Sequence, residues 1–200
     1  MTTTSTQLLS RVRSNINEPS AAQRTDAEIY QWLDEGLFDY MHKVPQEHFP
    51  ELTTSKTFTG SAVGLPTDYM FFHSCTVNHT LSGTYTGVDD CYVVPPGDSY
   101  LPNFYPCALG AWCQITGNTL SCGPQIINGT LTYVKTPTHL STASATLDIG
   151  AEHETPIVNY GTMMALLKIN DADADAFKKL YDDNVAAKVA RKESGEIERA

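Results

Sequence analysis

Apolar positions near the start of the chain recur at helical spacing. Leu8, Leu9, Val12 and Ile16 share one face, and Asn17, Pro19 and Ser20 interrupt it. The next stretch, RTDAEIYQWLDEGLFDYMHKVP, has a start, a stripe and a stop. Thr25 and Glu28 form a T-x-x-E capping box, in which the two side chains satisfy orphan amides of the first turn. Ile29, Trp32, Leu33, Leu37, Tyr40 and Met41 then follow on one side, and Pro45 ends the run.

The C-terminal flank has the same character. Thr155 as N-cap and Pro156 at the first helical position open a helix whose buried side is Ile157, Tyr160, Met164 and Leu167. A second helix begins near Asn170 or Asp171, with Ala174, Phe177, Tyr181 and Val185 at helical spacing. From residue 186 the stripe fades, so residues 186–200 read as a mobile tail. The expected core of the helices is Ile29, Trp32, Leu33, Leu37, Tyr160, Met164, Leu167, Phe177 and Tyr181.

Between the flanks the pattern changes. AWCQIT and TLSC alternate about a Gly117-Asn118 turn and predict a hairpin. FTGSAVGLPTDYMFF predicts a strand, a turn and another extended segment, and TLTYVKTP a strand ending at Pro137. YVVPPGDSYLPNFYP, with Tyr92, Tyr100, Phe104 and Tyr105, reads as an ordered loop whose exposed aromatics suit a protein contact. Composition agrees with this division. Residues 46–150 hold only two of the 13 Lys and Arg residues (Lys56 and Lys135), but 8 of the 11 prolines and 10 of the 13 glycines. Turn formers and threonine at that density predict short strands. The expected fold is α+β: a helical bundle built from residues 1–45 and 151–185, a β-rich insertion over 46–150, and a tail over 186–200.

Charge and chemistry narrow the function. A net charge of −10 argues against a partner held by phosphate neutralisation. No apolar run is long enough for a membrane span, and the first residues lack the pattern of a signal peptide, so synthesis in a cytoplasm is expected. Five cysteines (Cys75, Cys91, Cys107, Cys113 and Cys122) form no C-x-x-C knuckle and are expected as free, mostly buried thiols. Asp171, Asp173 and Asp175 imitate a calcium loop, but Ala176 replaces the required Gly and Asp182 the bidentate Glu. A helix start explains them better. His153 beside Glu152 and Glu154 is not H-E-x-x-H. His73 and His79 with Cys75 could form a zinc site only by assembly in space. Neither G-x-S-x-G nor a P-loop occurs. No catalytic residue, metal or cofactor is expected.

The segment LLSRVRSNINEPSAAQRTDAEIYQWLDEGLFDYMHKVP resembles the opening of phage head-to-tail adaptor (connector) proteins, of the podovirus tail-adaptor type. In that family a short helix and a polar gap precede a D-A-E helix, matched here by Asp26, Ala27, Glu28, Ile29, Trp32, Leu33, Asp34 and Glu35. The L-P-x-D step at Leu65 to Asp68 and the Tyr-x-x-x-Pro strand end at Tyr133 to Pro137 also fit, as does the closing pair of helices. Gly36 departs from the family, which has a small helix former such as Ala there.

The resemblance implies a structural virion protein at the head–tail junction: a ring of twelve copies between the portal and the downstream tail (nozzle or tube) protein. DNA would pass through its channel without specific binding. It also implies a C-terminus reaching the portal, so Lys188, Arg191 and Lys192 are candidate partner-binding residues beside Tyr100, Phe104 and Tyr105. The alternative reading is a virion-surface or secreted β-rich binding module, which the aromatic middle would suit and the two helical flanks would not.

Overall fold

Thr4 opens the first helix, α1 (Ser5–Asn15), with a capping box: its hydroxyl accepts from the Gln7 amide, and the Gln7 side chain accepts from the Thr4 amide. The structure, a computed structural model, describes residues 3–18, 23–81, 85–95, 111–123 and 125–197, and for 80–81, 85–86 and 191–197 the backbone alone. It is mixed α/β, with four helices and two sheets among the described residues. The chain divides into a helical unit, Met1–Leu52 with Pro137–Ala200, and a β unit, Thr53–Thr136.

In the helical unit α1 is followed by α2 (Asp26–Lys43), which carries the predicted Thr25–Glu28 capping box. After the β unit come α3 (Glu154–Leu167) and α4 (Ala174–Ile197). Helix α3 packs against α1, α2 and α4. Being surrounded, it buries far more than a stripe: Ile157, Val158, Gly161, Thr162, Met163, Ala165 and Leu166 are all inside. Ile29, Leu33, Leu37 and Tyr181 of the expected core are buried. Trp32, Tyr160, Met164 and Phe177 are half-buried, and Leu167 is exposed. The expected face of α3 was rotated because small residues, which carry little sequence signal, sit at the closest helix contacts. Gly161 is one of these; a Cβ there would lie 3.2 Å from Leu33 and 3.3 Å from Val12. The start of α3 also differs. A short 3-10 turn, Ala151–His153, leads into it, so Thr155 is not its cap. Glu154 instead takes the Arg11 guanidinium at 2.7 Å and the Thr3 hydroxyl.

The β unit is shorter than the predicted insertion at both ends. Residues 46–52 form two 3-10 turns, Gln46–His48 and Pro50–Leu52, whose Phe49 and Leu52 are buried in the helical unit. Residues 142–147 lie along the N-terminus, where the Ser5 amide donates to Ala145 and the Leu147 amide to Thr3, each at 2.8 Å. Pro and Thr marked turns and extended segments of both units, so composition alone could not find the boundary.

The β unit contains β1 (Thr53–Thr59), β2 (Ala62–Gly64), β3 (Tyr69–Leu81), β4 (Tyr85–Asp90), β5 (Tyr92–Val94), β6 (Trp112–Thr116), β7 (Thr119–Gly123) and β8 (Ile126–Lys135). One sheet has the order β1-β8-β3-β4 and the other β2-β7-β6-β5. The predicted hairpin is β6–β7, turning at Gly117 with φ +58°. Phe58, Cys75, Val77 and Leu131 of the first sheet share a core with Cys113, Leu120 and Cys122 of the second. Register shifts between Phe72 and Ser74 expose His73, while His79 is buried. The imagined site of His73, Cys75 and His79 therefore does not form.

Gly36 is explained by packing. A Cβ there would come within 2.8 Å of Tyr160 Cδ1 and 3.0 Å of Tyr160 Cβ. An alanine in a helix interior ordinarily gains about 1 kcal/mol over glycine. Here the neighbour includes the base of a side chain, which cannot swing aside without moving α3. Gly36→Ala is expected to lose about 1–3 kcal/mol, the range of overpacked cores. Urea unfolding measures it, and a gain in stability would show that the two helices are not held this close.

Candidate assembly surface

The D-A-E helix uses its polar residues to hold other parts of the helical unit. Asp26 takes the Arg13 guanidinium, which also donates to the carbonyls of Glu18 (3.3 Å) and Arg24 (3.0 Å). Arg24, itself buried, pairs with Glu18 and donates through Nε to the Ala165 carbonyl at 2.6 Å. Glu18 accepts in addition from the Gln23 and Arg24 amides, at 2.6 and 3.1 Å. Glu28 completes the cap and pairs with Lys168 at 2.7 Å. Asp34 accepts from the Leu140 amide at 2.7 Å and faces His139 Nδ1 at 2.9 Å. The aspartate thereby fixes the segment just beyond the β unit. Trp32 is half-buried, and Glu35 is exposed and bonded only locally, by Gln31 at 2.9 Å.

The two shorter motifs of the β unit meet each other. The Tyr133 hydroxyl donates to Asp68 at 3.0 Å, and the Thr136 amide donates to the Asp68 carbonyl at 2.7 Å. Burial, and then this bond, push the Tyr133 hydroxyl above its ordinary value.

Histidine and aspartate have structural parts. His153 is fully buried; its Nε2–H donates to the His48 carbonyl, and the Tyr40 hydroxyl donates to Nδ1, each at 3.0 Å. Burial, then the nearby Lys188 charge, push the His153 pKa down, which fits a neutral ring with this tautomer. His48 in turn donates from Nε2 to the Lys188 carbonyl at 3.1 Å. The Asp171 carboxylate accepts from the Asp173 amide at 3.0 Å just before α4, in keeping with a helix start.

The partner-binding candidates fall in different places. Lys188 is half-buried on α4, with its backbone held by His48. Arg191 and Lys192 lie further along α4, which runs on to Ile197 where the sequence reads as a separate tail. Tyr100, Phe104 and Tyr105 fall outside the described residues. Tyr92, from the same aromatic stretch, is 69% exposed on β5, and Val88 is equally exposed on β4. Among the described residues both strands are sheet edges, where apolar side chains can receive a neighbour. In the helical unit, Leu167, Ile169 and Leu180 are exposed about the α3–α4 corner. Sequence periodicity had placed Leu167 inside, and only its position as the last residue of α3 hinted otherwise. Among the described residues, no helix is long and apolar enough to cross a membrane.

Polar side chains of the helical unit are thus spent on capping and pairing, and apolar ones lie exposed on strands β4 and β5 and about the α3–α4 corner. A family model described as SU10 adaptor protein matches residues 3–199. The chain belongs to that family, a structural adaptor family and not an enzyme family, as the resemblance to phage head-to-tail adaptors implied. The comparison with curated proteins gives no match.

The Arg24–Glu18 contact makes stability depend on acid in a defined direction. Burial raises the Glu18 pKa, but the Gln23 amide and the Arg24 guanidinium outweigh it and bring it down to about 2, from an ordinary 4.5. A lowered carboxyl contributes stability that is complete above the unfolded value and is lost as pH falls through the folded one. Wild-type stability should therefore drop between about pH 4.5 and 2, more steeply than in Glu18→Gln. Urea unfolding across that range is the measurement, and parallel curves would sink the assignment. Glu28, lowered to about 2 first by Lys168 and then by Thr25, contributes equally to both proteins and cancels in the comparison.

Proposed function

We propose that this protein is the head-to-tail adaptor of a tailed phage, assembling as a ring of twelve copies between the portal and the tail. The family match over residues 3–199 carries the reading. In this reading the helices of both flanks form a bundle repeated around the ring, and the edge strands and the α3–α4 corner meet neighbouring copies and the tail protein. The virion head–tail junction is its place of work. The net charge of −10 suits a channel along which DNA slides without binding.

The C-terminal end of α4 meets the portal in this reading, through Lys188, Arg191 and Lys192. The structure changes how that is best tested. A cut at residue 186 would also remove the Lys188 carbonyl that His48 holds. Deleting 190–200 spares that bond while removing Arg191 and Lys192. The truncated protein should keep its melting temperature and lose portal affinity, on the order of tenfold if one or two exposed charge pairs are lost together with their steering. Electron microscopy of the full chain mixed with portal should show rings on the portal face. A chain that stays monomeric beside the portal overturns the adaptor reading; unchanged docking of the truncated chain overturns only the part given to the tail.

A further inference from the structure

Four cysteines that lie far apart in the sequence meet inside the β unit. Cys75 is on β3, Cys91 follows β4, Cys113 is on β6 and Cys122 on β7. The Sγ atoms of Cys75, Cys91 and Cys113 all lie within 4.8 Å of one another, and Cys122 Sγ is 4.0 Å from Cys75 Sγ. The folding of the sheets explains the convergence. Cys113 and Cys122 are directly opposed across the β6–β7 ladder and so point to the same face. Cys91 joins the last strand of one sheet to the edge strand of the other, and its amide donates to the Cys75 carbonyl at 2.8 Å. Cys75 looks in from the first sheet, within the core shared by both.

We propose that Cys75, Cys91, Cys113 and Cys122 form a tetrathiolate site for a zinc ion that clamps the two sheets of the β unit together. Zinc takes four thiolates at ~2.3 Å in a tetrahedron, whose edges are then about 3.8 Å. The sulfurs of Cys75, Cys91 and Cys113, within 4.8 Å of one another, need a contraction of about 1 Å or less to reach those edges, and Cys122, 4.0 Å from Cys75 but outside that mutual set, moves inward to complete the tetrahedron. The donor set is soft and uniform, which selects zinc over the oxygen-loving cations. Four protein ligands leave no open position, so the site is structural and has no place for a substrate. Three of the cysteines are buried, and Cys91 is half-buried at the surface side. Beside Cys113 lies an open apolar groove of about 370 Å³, lined also by Tyr69, Phe72, Val93 and Ile115. On binding, each thiol gives its proton to solvent and its sulfur lone pair to the ion, so uptake releases protons and strengthens as pH rises.

The bland reading of the cluster is four small apolar side chains filling a β core, since a free cysteine packs as one. A second is a pair of disulfides. Full-length protein, produced with zinc in the medium and purified under reducing conditions without metal-affinity resin, separates all three. The zinc reading expects one zinc ion per chain by elemental analysis. It also expects four thiols shielded from alkylation until a chelator is added, and a fall of roughly 10 °C in melting temperature on chelation. Cobalt in place of zinc should give the intense visible bands of a tetrahedral thiolate site. Cys122→Ser and Cys91→Ser should each lose most of the bound metal. Because a variant could also misfold, the wild-type chelation and cobalt measurements stand independently. Metal-free protein with immediately reactive thiols and an unchanged melting temperature after zinc is added overturns the proposal, as does an intact mass showing disulfides. Neither outcome touches the adaptor reading, which does not depend on this site.

Discussion

The close approach of α2 to α3 is the contact on which the helical unit depends. It brings together residues more than 100 positions apart, such as Gly36 and Tyr160, or Leu33 and Gly161. Closing so long a loop costs entropy that only burial on both sides can offset. Isolated amphipathic helices of this length are marginal in water, so α2 and α3 hold one another in shape. Two glycines let the backbones come near, and Tyr40, Phe49 and His153 fill the far end with ring contacts of 5.1–6.1 Å between centroids. The β unit can therefore be a true insertion. Its strands leave and return between elements that are already bound to each other.

The scarce basic residues show the same priority. Arg13 and Arg24 are buried, and both are spent on the corner between α1 and α2, where Glu18 and several carbonyls await them. A guanidinium offers five donors in a planar fork, so one side chain can satisfy a turn that has no regular backbone partners. A buried charge without that full set would be costly. These arginines are thus unavailable to a polyanion, and the surface remains acidic. Charge in this chain organises the fold first.

How much of this was legible in the sequence depended on whether the signal was local. The capping box at Thr25 and Glu28, the Gly117 turn and the D-A-E motif are fixed by residues within a few positions of one another, and each appeared as read. Asp34 was visible as a motif residue, but its partner, the Leu140 amide, is 106 residues away and has no side-chain signature. The face of α3 was misread because Gly161, Thr162 and Ala165 are among its buried residues and apolar periodicity weights the large ones. The cysteines were the clearest case. Their spacings of 16, 22 and 9 residues fit no knuckle, and only the pairing of β6 with β7 and the passage from one sheet to the other place them side by side.

The β unit has a problem that its sequence solves unevenly. Two of its strands, β2 and β5, have only three residues each, and short edge strands bury little. Exposed sheet edges are commonly protected by charge, especially lysine. Lys56 on β1 follows that rule, with Nζ donating to the Gly64 carbonyl at 3.3 Å. Strand β4 sets an exposed Val88 beside the carboxylates of Asp89 and Asp90, whereas the β5 edge does not follow the rule, with Tyr92 and Val93 exposed. Such an edge would be an aggregation liability in a protein that works alone. In the ring proposed above, the same apolar edge would be surface held in reserve for assembly. A metal clamp just behind it would keep that edge in one shape until a neighbour arrives, because β5 begins at the residue after Cys91 and β6 carries Cys113 opposite Val93.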